Sequence, residues 1–109
     1  MNQSLTKQKC KPCESMCSQL SSEEENKLIK QVPSWKLGMK HVNKIIKEYE
    51  FKDFKEAMAF LNKVAVLAEE GHHPDIFISY NFVSIELYTH SIQGLSQNDF
   101  ILAAKIDKL

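Results

Sequence analysis

Hydrophobic positions along this chain keep two periods, one of about 3.6 residues and one of 2, and the switches between them mark out its elements. After a polar opening, Leu28, Ile29 and Val32 form a short helical stripe, and Pro33 ends it. The stripe follows Ser22-Glu23-Glu24-Glu25, which has the form of a capping box. Trp35 and Leu37 begin a short strand, with Gly38 at a turn. From Val42 to Phe51 the residues alternate, with Ile45, Tyr49 and Phe51 set against Lys44, Glu48, Glu50 and Lys52. Asp53-Phe54-Lys55-Glu56 is a second capping box and opens the most strongly patterned helix, with Ala57, Phe60, Leu61, Val64, Ala65 and Ala68 along one side. Gly71 suits the position just past that helix, where a left-handed residue without a Cβ is favoured. Ile76, Ile78 and Tyr80 then alternate with Phe77 and Ser79, and Asn81-Phe82 falls where a hairpin turn is expected. On the return, Val83, Ile85, Leu87 and Thr89 share one face, and Ser84, Glu86, Tyr88 and His90 the other. Gly94 interrupts the strand, Ser96 caps a last helix, and Ile101, Leu102, Ala104 and Ile106 carry it to the end. The order α-β-β-α-β-β-α predicts an α+β fold, a four-stranded antiparallel sheet with helices packed on one face. Trp35, Phe54 and Phe60 are expected in its core.

Composition narrows the function classes. A chain of 109 residues suits one domain, here residues 20–109, preceded by a loosely ordered arm over residues 1–19. Fourteen basic residues balance fourteen acidic ones, so the chain carries no electrostatic footprint for nucleic acid or for an anionic membrane. No apolar run resembles a signal peptide or a membrane span, and a cytoplasmic location is the expectation. Cys10, Cys13 and Cys17 are odd in number and confined to the arm, which argues against a disulfide framework. Their spacing raises zinc, with His41 as a fourth ligand, but a structural site usually draws on two ligand pairs and no second pair exists.

The residues best suited to chemistry are His72 and His73, followed at once by Pro74, and His90, eighteen positions after His72. Imidazole, with an ordinary pKa near 6.5, both gives and takes protons near neutrality. The hairpin returns the chain, so His90 is expected at the same end of the sheet as the pair. Each residue also has a plainer reading: a solvated connector for His-His-Pro, a polar strand end for His90, and the N3 position of a capping box for Asp99. A three-histidine metal site is the alternative. It is opposed by the adjacency of His72 and His73, because the i, i+4 spacing that puts two imidazoles on one helical face is absent.

The run Gly71-His72-His73-Pro74-Asp75, the Tyr80-Asn81 hairpin, Thr89-His90-Ser91 and Gly94-Leu95-Ser96-x-x-Asp99-Phe100 resemble the pterin-4a-carbinolamine dehydratases. The likeness reaches upstream through Phe51-Lys52-Asp53-Phe54 to Trp35, and the cysteine-bearing arm resembles bacterial members. This resemblance implies conversion of 4a-hydroxytetrahydropterin to quinonoid dihydropterin and water, without a metal or other cofactor. It implies service to an aromatic amino acid hydroxylase and assembly as a homodimer or homotetramer. By position, His72, His73 and His90 match the family's catalytic histidines. His73 and His90 are expected to bracket the C4a–N5 edge, with His72 orienting the pterin and the acid and base left unassigned. Gly71, Pro74, Tyr88, Thr89 and Ser91 would complete the substrate pocket, and Asp99 would close it. Where the family usually has a glutamate, four residues before the first histidine, this chain has Ala68; Glu69, one position on, is the candidate to take that part. Two other readings stand beside the enzyme: a non-catalytic dimerisation or binding module of the same fold, and a Cys/His metal-binding protein.

Overall fold

The structure is a computed structural model that describes residues 20–38, 43–68, 74–89 and 92–109. Three helices and four strands follow in the expected order: α1 (Ser22–Ile29), β1 (Lys36–Gly38), β2 (Lys44–Glu50), α2 (Phe54–Ala68), β3 (Asp75–Ser79), β4 (Phe82–Leu87) and α3 (Gln97–Ile106). The strands form one antiparallel sheet in the order β1-β2-β4-β3, so β3 is an edge strand.

Local chemistry explains most of the boundaries. The first helix is capped one residue earlier than the sequence suggests. Ser21, not Ser22, is the N-cap: its hydroxyl accepts from the Glu24 N–H at 3.2 Å, and the Glu24 carboxylate accepts from the Ser21 N–H at 3.0 Å. That one-residue shift turns Glu25 inward, where it is buried and the Asn43 side-chain amide donates to both its oxygens at 3.2 and 3.1 Å. The second helix begins as expected, with Asp53 accepting from the Glu56 N–H at 2.9 Å. The β3–β4 connection is a two-residue turn at Tyr80 and Asn81, since Ser79 pairs with Phe82; Phe82 belongs to the strand. Tyr80 takes the left-handed φ of 53° that such a turn calls for. Asn81 braces it: its side chain donates to the Phe51 carbonyl, and its own carbonyl accepts from the Phe51 N–H.

The core lies between one face of the sheet and the helices. Ile45, Val83, Ile85 and Leu87 face Val32, Trp35, Leu61, Val64 and the whole middle of α3. Every residue from Asn98 to Ala104 is buried, so α3 is an interior helix rather than a surface one with a single apolar stripe. Trp35 Nε1 donates to Asp107 at 3.0 Å, and Lys47 Nζ donates to the same oxygen at 2.7 Å, which ties the end of α3 to β2. Tyr49, Phe51 and Phe60 form an aromatic cluster with centroids 4.7 to 5.8 Å apart.

Burial departs from the expected pattern at several positions, among them Ala65, which is exposed although the sequence pattern puts it on the inward side of α2. Phe54 is half exposed rather than in the core, because the first residue of α2 precedes the turn whose Ala57 and Leu61 face inward. Ile76 and Ile78 pair with Ile85 and Val83 and so share the core face, yet both remain exposed because they stand on the edge strand.

Candidate active site

The two segments that carry the histidines join the sheet side by side. Asp75, the first residue of β3, pairs with Glu86, next to the last residue of β4. Pro74 therefore enters the sheet beside the point where Leu87, Tyr88 and Thr89 leave it. Pro74 and Tyr88 are half-buried, and Thr89 is buried. Of the remaining candidates, Glu69, Gly71, His72, His73, His90 and Ser91 lie outside the described residues, as do His41 and the three cysteines. Among the described residues no group of three metal-ligating side chains occurs.

Beyond β4 the chain makes a tight turn. Thr89 and Gly94 face each other as an isolated antiparallel pair. The Thr89 N–H donates to the Gly94 carbonyl at 2.8 Å, and the Thr89 carbonyl accepts from Ile92 and Gly94 N–H groups at 3.2 and 3.4 Å. Gln93 takes φ 50°, a left-handed conformation that lets so short a segment close on itself. The Thr89 side chain is held as firmly as its backbone. Its hydroxyl donates to Asp99 Oδ2 at 2.9 Å and lies 2.7 Å from the Ser96 hydroxyl. A threonine hydroxyl has one proton, so with that proton on Asp99 the Ser96 hydroxyl is the donor to Thr89. The same Asp99 oxygen accepts the Ser96 backbone N–H at 2.9 Å.

Asp99 thus fills the N3 position of α3 as its spacing from Ser96 predicts, and it is completely buried. A buried carboxyl needs hydrogen-bond partners, and Thr89 and Ser96 supply them. Sequence reading placed Thr89 and Asp99 near the pocket but missed that they bond to each other. The signal was weak: a threonine two residues beyond the apolar strand position Leu87, and an acid ten residues on, are ordinary until the turn between them closes.

An α+β domain of this topology, with histidine-bearing segments anchored at paired strand ends, defines a class of small single-sheet proteins. Within that class the chain belongs to the pterin 4 alpha carbinolamine dehydratase family, whose pattern matches residues 18–109. A Nitrosomonas europaea protein provisionally named a pterin-4-alpha-carbinolamine dehydratase is 47% identical over 107 residues, 96% of this chain and 92% of the relative. A Methylococcus capsulatus protein of the same provisional name is 45% identical and is covered over 93% of its length. Among solved structures, a transcriptional coactivator/pterin dehydratase from Brucella melitensis superposes with a TM-score of 0.77 at 32% identity, over 83% of this chain and 96% of that one. A pterin dehydratase-like protein identified as a RuBisCO assembly factor in the alpha-carboxysome aligns with a TM-score of 0.58 at 30% identity, over 69% of this chain and 87% of that one.

Proposed function

We propose that this chain is a 4a-hydroxytetrahydropterin dehydratase. The observation that carries the reading is full-length similarity near 45% to proteins of that provisional name; retention of His72, His73 and His90 supports it. In the reaction the C4a–O bond breaks, the departing hydroxyl takes a proton and leaves as water, N5 loses its proton, and the N5–C4a double bond forms. One imidazole removes the N5 proton and another delivers one to oxygen, each contributing about 10²–10⁴-fold. His73 and His90 take these two parts, with His72 orienting the ring. Pro74, Tyr88 and the backbone through Ser91 line the pocket, and Glu69 takes the part of the carboxylate that Ala68 lacks. No metal or other cofactor enters, and the product returns to the cycle of an aromatic amino acid hydroxylase in the cytoplasm.

The test is the dehydration rate of 4a-hydroxytetrahydropterin generated in situ by phenylalanine hydroxylase. Acceleration by the wild type should survive a chelator and fall by about 10²-fold or more in His73→Ala. No acceleration by folded wild type would overturn the reading. The second reading, a partner-binding module, would then lead, favoured by the exposed apolar side chains of Phe77, Ile78 and Tyr80 and by the assembly-factor role named for one relative.

The same side chains favour self-association. Ile76, Phe77 and Ile78 stand on a sheet edge whose outward backbone groups have no neighbouring strand among the described residues. The protein is proposed to form a homodimer or homotetramer.

A further inference from the structure

Asp99 lies in the first turn of α3, too deeply buried to meet a ligand directly, yet it is bonded to the residue that precedes His90 in the chain. We propose that Asp99, Thr89 and Ser96 form an internal clamp that fixes the Thr89–Gly94 turn, and that Asp99 is a positioning residue acting through Thr89 rather than a substrate contact. This rests on the dehydratase reading above, because His90 belongs to that turn by sequence.

Three observations carry the proposal. Both backbone groups of Thr89 are spent inside the turn, on Gly94 and Ile92. Its hydroxyl is spent outside the turn, on the Asp99 carboxylate, with Ser96 Oγ completing the triangle at 2.7 Å. Asp99 is itself fixed, since its oxygen also accepts the Ser96 N–H at the start of an interior helix. The turn is therefore referenced to the start of α3 through the Thr89 side chain. A catalytic group that follows Thr89 inherits its backbone position from that bond, and a displacement of 1 Å in a reacting group can lower a rate by about 10²-fold.

Thr89→Val keeps the shape and deletes the hydroxyl; Thr89→Ser keeps the hydroxyl. Thr89→Val is expected to remain folded by circular dichroism and to show kcat lowered by about 10- to 100-fold with KM changed by no more than about 2-fold. Thr89→Ser should restore most of kcat. In Thr89→Val the Ile92 and Gly94 amides, which donate to the Thr89 carbonyl, should lose protection from hydrogen exchange while those of α3 keep it. An unchanged kcat in folded Thr89→Val would overturn the proposal, as would a raised KM with kcat intact, which would mark Thr89 as a substrate contact. If Thr89→Val does not fold, Thr89→Ala set against Thr89→Ser, which differ by the hydroxyl alone, carries the same comparison. If the wild type proves inactive, the dehydratase reading fails separately. The exchange data then decide alone: protection lost in the variant supports the clamp, and equal protection overturns it.

Discussion

The phenol oxygen of Tyr49 is buried and makes no well-formed hydrogen bond among the described residues, with Lys47 a loose polar neighbour. Lys47 Nζ lies over the ring, 4.9 Å from its centroid, and donates to Asp107 instead. Burial pushes the Tyr49 pKa above its ordinary 10.0, with the Lys47 charge opposing. Burial also acts against the charged form of Lys47, but the hydrogen bond to Asp107, together with the nearby Tyr49 and Asp107 groups, outweighs it and raises that pKa above 10.5. Both groups hold their protons more tightly folded than unfolded. Their contribution to stability is therefore complete below about pH 10 and is lost as pH climbs through the raised values. Stability should fall on the alkaline side, and Tyr49→Phe should flatten part of that fall. Because it removes an unbonded buried hydroxyl, the substitution should also raise stability at pH 7 by up to about 1 kcal/mol, or about 4 °C in Tm. A lowered Tm by calorimetry would mean that the hydroxyl is bonded after all.

Element boundaries depend on caps that differ in how legible they are. Asp53 is read correctly because a single carboxylate precedes α2; its loss in Asp53→Ala should lower stability by about 1 kcal/mol, measurable by urea denaturation. The first helix offers Ser21 and Ser22 in succession, and the sequence does not say which is the cap. Once Ser21 takes the role, Glu25 points into the protein beside Asn43, a pairing between α1 and the entrance to β2 that no periodicity announces. The strand order has the same character. Alternation shows that Ile76 and Ile78 share a face, and pairing with Ile85 and Val83 confirms it. Which strand lies at the edge is a matter of topology, so their exposure was not legible. The site was readable as a set of residue types in sequence. The hydrogen bonds joining Thr89, Ser96 and Asp99 were not, because they depend on how Gln93 and Gly94 close the intervening turn.

At the scale of the whole molecule, the exposed apolar side chains gather on the β3–β4 hairpin. Ile76, Phe77, Ile78, Tyr80 and Phe82 are all exposed, and they span both faces of the sheet beside its open edge. An edge this apolar, with no lysine or proline along β3 to discourage pairing, is normally covered in solution. A second copy of the chain supplies the cover most simply, since two identical β3 strands can pair antiparallel about a two-fold axis and extend both sheets. The protein should therefore run as a dimer or tetramer by light scattering at micromolar concentration. Phe77→Lys places a charge on the edge strand, on the face opposite the Val83, Ile85 and Leu87 core positions, and should shift the population to monomer while the far-ultraviolet circular dichroism stays that of the wild type. If the wild type is already a monomer at that concentration, the hairpin faces some other partner and self-association is excluded. If Phe77→Lys leaves the assembly intact, the contact between copies lies elsewhere; the exposed side chains of Met58 and Val66 on α2 are the next surface to alter.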